Sequence, residues 1–160
     1  MVIAGCSGVG ISLAYGYRRE ILMLCQLEKI LNDMEWELQY RQTPLPELCQ
    51  ISAADYSGVL KDVFLHLREE LLRGEQPDVR TAMTHVIAAR RMPERIRKHL
   101  QYLGSSLGRY DLQGQIQGLR GVKECCRKER NELEKGKTER LRGYQTLALC
   151  AGAAIVIILI

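Results

Sequence analysis

The distribution of charge constrains this chain more than any other feature. All 23 lysines and arginines and all 19 acidic residues of the 160-residue chain lie between Arg18 and Arg142. Residues 1–17 (MVIAGCSGVGISLAYGY) and 143–160 (GYQTLALCAGAAIVIILI) carry no charge. Averaged over its length the chain is 46% hydrophobic and 26% charged with a net charge of +4, which describes an ordinary soluble domain. No part of the sequence has that average.

The partition predicts three segments: an N-terminal membrane span over 1–17, a cytosolic helical domain over 18–142 and a C-terminal membrane span over 143–160. As helices the ends would reach roughly 25 and 27 Å at ~1.5 Å per residue, close to the ~30 Å thickness of a bilayer core. Arg18, Arg19, Arg140 and Arg142 flank them and can snorkel, and Tyr15, Tyr17 and Tyr144 occupy the same junctions, where an aromatic belt belongs. A cleaved signal peptide would carry basic residues before its apolar run, and none stands there. With every Lys and Arg on one side of both segments, the positive-inside rule places the middle in the cytosol and both termini outside the cell membrane. Ala4, Gly8, Ser12 and Gly16 recur every four residues, as do Ala148 and Gly152. Such ridges permit close helix packing, between the two spans or by self-association.

The middle is expected to be all-α, giving a bundle of about six helices whose long first and last members run into the terminal spans. Ile21, Leu24, Leu27, Leu31, Met34 and Leu38 form one helical stripe that stops near Arg41, ahead of Pro44. Thr43 is expected to cap a short second helix with Pro44 in its first turn. A third helix is expected from about Tyr56 to Arg73, ended by Gly74, with Val59, Val63, Leu67 and Leu71 inward. A fourth is expected from the N-cap Asp78 to about Arg91. A fifth opens at Pro93, with Ile96, Leu100, Leu103 and Leu107 inward, and ends at Gly108. Asp111 caps the last helix, whose inner face is Leu112, Ile116, Leu119, Val122, Cys126 and Leu133. The first and last helices are expected to run antiparallel, with Gly136 and Gly143 as candidate bends.

Two motifs carry a resemblance. One is Thr43-Pro44-Leu45-Pro46, after Tyr40-Arg41-Gln42. The other is Leu103-Gly104-x-x-Leu107-Gly108-x-x-Asp111, with Gln115 four residues on. In this order between two uncharged ends, they resemble the stage III sporulation protein AB family of endospore-forming bacteria. The resemblance implies a non-enzymatic membrane component of the channel complex between mother cell and forespore. It also implies a platform-like domain docking that complex's cytosolic ATPase, stage III sporulation protein AA. In this sequence Met83 stands where the family leads one to expect tryptophan. A platform component of a type II secretion or type IV pilus-like assembly is the alternative. A membrane-tethered nucleic-acid binder is a further one.

No chemistry of catalysis emerges, and no cofactor is expected. His66, His85 and His99 fall on different helices, and Cys125-Cys126 lacks the spacing of a zinc pair. Gly5 to Gly10 has neither the glycine order of a dinucleotide fingerprint nor a following lysine. The basic stretch Lys123, Arg127, Lys128, Arg130 is interleaved with glutamates at helical spacing and reads as a solvated or pairing face. Arg90, Arg91, Arg95, Arg97 and Lys98, diluted only by Glu94, form the candidate docking patch for an acidic partner or lipid headgroups; nucleic acid is not the expected ligand. The glycine motif from Gly104 to Gln115 reads as a helix-hairpin corner, with a partner-contact role as the alternative.

Overall fold

The structure, a computed structural model, describes the backbone of residues 2–108 and 111–159 and the side chains of 16–108 and 111–136. Six α-helices follow one another: α1 Val2–Arg41, α2 Leu45–Ala54, α3 Val59–Arg73, α4 Val79–Ala88, α5 Glu94–Ser106 and α6 Leu112–Leu159. The described residues contain no strand, and the all-α expectation holds. The terminal spans expected over 1–17 and 143–160 lie outside the described side chains except for Gly16 and Tyr17. Among the described residues, no helix is long and apolar enough to cross a membrane. Of the small-residue ridges only Gly16 is described, and a Cβ there would meet nothing within 4 Å.

The helices alternate in direction. α1 packs along α6, α2 on α3, and α4 on α5. Glu35 on α1 meets Arg120 and Lys123 on α6, and Glu28 meets Arg130 at 3.2 Å, which fixes the two long helices antiparallel and in register. α6 has 48 residues, or ~72 Å of helix. It is helical through Gly136 and Gly143.

One apolar core joins all six helices. Leu24, Leu27, Leu31, Met34 and Leu38 of the α1 stripe are buried, as are Ile116, Leu119, Val122, Cys126 and Leu133 of α6, while Ile21 and Leu112 are half-buried against the core. On α1 and α3, whose stripes were expected, four further apolar residues are buried: Met23 and Ile30 on α1, and Leu60 and Phe64 on α3. Val59 and Leu71, expected inward, are half-buried. The short helices are enclosed on more than one side, so their buried faces are wider than one stripe.

Three helix boundaries differ from expectation. Thr43 does not cap α2. Pro44, at φ −56° and ψ 145°, occupies the cap position, and no side chain caps the helix. The Thr43 hydroxyl instead donates to Glu37 Oε2 at 3.1 Å in a buried contact. α3 starts at Val59 and not Tyr56, because Gly58 takes φ 80° just before it and the Tyr56 hydroxyl is held by Asp33 at 2.7 Å. α4 ends at Ala88 and not Arg91: the Arg90 guanidinium donates to the Val86 carbonyl at 2.5 Å and closes the helix end, and Pro93 disfavours helical backbone in Met92. Gly74 in the left-handed region after α3 matches expectation. So does the Asp78 cap, which accepts from Thr81 N at 2.7 Å.

Candidate partner-docking surfaces

The alternation gives the domain two ends. The near end is where α1 enters and α6 leaves, beside the uncharged segments; the far end is where α1 turns into α2. Both sequence motifs stand at the far end. The Glu35–Arg120 pair sets the level, and six residues further along each helix lie Arg41 and Gly114. The turn carrying Thr43, Pro44, Leu45 and Pro46 is therefore level with the corner carrying Gly108, Asp111 and Gln115.

Each motif residue has a local reason. Gln42 takes φ 52° in the turn between α1 and α2. Thr43 and Arg41 both reach the Glu37 carboxylate, Arg41 at 3.4 Å, which ties that turn back onto α1. Leu45 packs against the core, Pro44 is exposed and Pro46 half-buried. In the second motif Leu103 and Leu107 are buried. A Cβ on Gly104 would stand 2.7 Å from Met83 Cβ, so this glycine lets α5 lie directly on α4. Gly108 turns the chain at φ 76°, and a Cβ there would stand 2.6 Å from Val79 Cγ2. Asp111 Oδ1 accepts from Gly114 N at 3.0 Å, the expected cap of α6. The backbone N–H of Gln115 donates to the Asp111 carbonyl at 3.0 Å. The corner reading thus accounts for Gly104, Leu107, Gly108 and Asp111.

The same end carries a surface that the apolar stripe did not reveal. Trp36 and Tyr40 are 52% and 66% exposed, with ring centroids 5.1 Å apart. The Arg41 guanidinium lies 5.7 Å from the Trp36 centroid, within cation–π range. Position 36 falls between the stripe residues Met34 and Leu38, so the sole tryptophan of the chain points away from the core. That offset was the available signal. Exposed tryptophan and tyrosine with arginine are the side chains that dominate protein–protein contacts.

The five residues of the basic stretch do not form one surface. Arg90 is half-buried, donating to the Val86 and Asp62 carbonyls. Arg97 donates to the Arg90 carbonyl at 3.4 Å and pairs with Glu94 at 3.5 Å. These two fasten the turn between α4 and α5. Arg95 pairs with Glu20 on α1 at 3.6 Å. Arg91 and Lys98 are exposed and make no ion pair among the described residues.

The titratable groups support packing. Burial alone would raise the Glu35 carboxyl, but hydrogen bonds from Lys123 and Arg120 and their charges outweigh it and hold the group below the usual carboxylate range. Burial pushes the Cys49 and Cys126 thiols up to about 12, whereas Cys125, adjacent on the helix, is exposed. His66 lies 2.8 Å from the Asp62 carbonyl, His85 3.5 Å from Glu70 and His99 3.0 Å from Glu129, so the three histidines do not converge. No cluster of metal-ligating side chains occurs among the described residues.

The described residues form an all-α bundle with core-directed motifs and an exposed aromatic end. The family model for stage III sporulation protein AB matches residues 1–160, and the chain belongs to that family, with a role in sporulation. A solved structure of a stage III sporulation protein AB is similar in fold, with a TM-score of 0.65 and 19% identity, covering 76% of this chain and 98% of that one. No curated protein matches the chain.

Proposed function

We propose that this chain is a non-enzymatic, membrane-anchored structural subunit of the mother cell–forespore channel complex. Its helical domain serves as a platform for the complex's cytosolic ATPase, stage III sporulation protein AA. The register of α1 and α6 carries the reading. Glu35 opposite Arg120 and Lys123, and Glu28 opposite Arg130, keep the two helices level residue for residue. At that register Tyr17 stands level with about position 140. The two uncharged segments therefore start side by side from one end of the domain, the arrangement two adjacent bilayer anchors require. The family's sporulation role supports the assignment to the channel complex.

The ATPase-facing surface in this reading is the far end, with Trp36, Tyr40 and Arg41. It projects away from the bilayer, and these exposed side chains are not needed to fill the core. Binding of the detergent-solubilised full chain to the purified ATPase tests this. Trp36→Ala with Tyr40→Ala should weaken binding at least tenfold while the helical circular dichroism signal is kept. Unchanged affinity in the folded double variant would reject the surface.

A further inference from the structure

We propose that the turn between α4 and α5 is a lipid-facing surface, which binds the anionic headgroups of the bilayer through Arg91 and Lys98 together with Arg18 and Arg19. The inference rests on the anchored reading above and extends it to a second, separate surface.

The contact between Arg95 and Glu20, at 3.6 Å, fixes where this turn lies. Glu20 is three residues from the end of the uncharged segment at Tyr17, a rise of about 4.5 Å along α1. Each headgroup layer of a bilayer is itself ~5–7 Å deep. Arg95 therefore stands at headgroup level when the uncharged segment is in the bilayer. The direction of α5 places its preceding turn closer still. His99 meets Glu129 on α6, and further along α5 Ser106 meets Gly118, so α5 runs away from the near end as its numbering rises. Pro93, Met92 and Arg91 thus lie on the bilayer side of Arg95.

Charge then selects the partner. Arg90 and Arg97 are spent on the turn's own carbonyls and Glu94, and Arg95 on Glu20. Arg18, Arg19, Arg91 and Lys98 are exposed and make no ion pair among the described residues. Arg18, Arg19 and Arg91 stand at or beside the headgroup layer, and Lys98, three residues beyond Arg95 and so ~4.5 Å further from it, has a long side chain that can snorkel back. Such cations complement a negatively charged leaflet, to which basic side chains bind additively and in a salt-sensitive way. An acidic protein would have to enter between the domain and the bilayer to reach the same groups. The arginine-rich stretch is thus divided between fastening a turn and facing lipid.

The test reconstitutes the full chain into vesicles of phosphatidylcholine alone or with phosphatidylglycerol, and follows amide hydrogen exchange. The backbone of Ala89–Met92 should exchange more slowly in the phosphatidylglycerol vesicles. That protection should vanish in Arg91→Glu/Lys98→Glu and in about 1 M salt, where the Debye length is ~3 Å. Protection of the α6 core amides reports that the variant is folded; should it not fold, Arg91→Gln/Lys98→Gln is read in its place. Equal exchange in both lipids, with the chain still floating with the vesicles, overturns this proposal and leaves the anchored reading standing. Failure of the wild-type chain to float overturns both. Protection that appears only on adding an acidic protein assigns the surface to that partner and overturns the lipid assignment.

Discussion

At the residue scale, the glycines of the second motif act through space: Gly104 and Gly108 stand where a Cβ would meet α4. Gly104 is there because α4 and α5 touch backbone to side chain, with Met83 directly over it. Met83, the departure from the family's expected tryptophan, is fully buried in that contact. Gly104→Ala should therefore destabilise the fold by ~1–3 kcal/mol, the usual range for overpacking, read as a lower denaturation midpoint in urea. An alanine variant as stable as wild type would show that Met83 can move aside. Gly118 repeats the device: a Cβ there would stand 2.5 Å from Ser106 Cβ, where α6 crosses α5.

At the element scale, local signals were legible and longer-range ones were not. Asp78 and Gly74 mark helix ends by acting on backbone within a few residues, and both were readable from sequence. Asp111 is the same case. Asp111→Ala should cost ~1 kcal/mol and speed hydrogen exchange in the first turn of α6, leaving the centre of α6 unchanged. Thr43 was misread because its hydroxyl had two candidate uses, capping its own helix or meeting Glu37 six residues earlier, and only the fold decides. The basic stretch shows a related division of roles. Its sequence groups five cations within nine residues, whereas the turn uses Arg90 and Arg97 as donors to backbone carbonyls. Leu60 and Phe64 were missed because a single stripe underestimates a helix enclosed on several sides. Trp36 was passed over because stripe reading attends to what goes inward.

At the scale of the whole molecule, α1 and α6 are joined by apolar packing flanked by ion pairs, and the latter make stability depend on pH. The folded pKa of Glu35 lies below its ordinary value of 4.5. A depressed carboxylate stabilises the fold above its unfolded pKa and loses that contribution as pH falls through the folded one. Unfolding free energy should thus decline below about pH 4.5, and part of that decline should disappear in Glu35→Gln. The side chain of Arg120 is 55% exposed, so the lost contribution is ~1 kcal/mol or less. Urea titrations of both proteins from pH 7 to pH 3 measure it; parallel pH profiles would show that Glu35 contributes nothing.

The register of α1 and α6 also determines how the domain bears a load. Tension on two strands that enter and leave at the same end peels them apart; it does not slide them past each other. Under peeling, the rungs carry force one at a time, starting with the pair nearest the pull. Glu28–Arg130 would give way before Glu35–Lys123, and the tied turn at Thr43 would be reached last. A tug on the ends would loosen the near half of the stalk while the aromatic surface around Trp36 kept its shape.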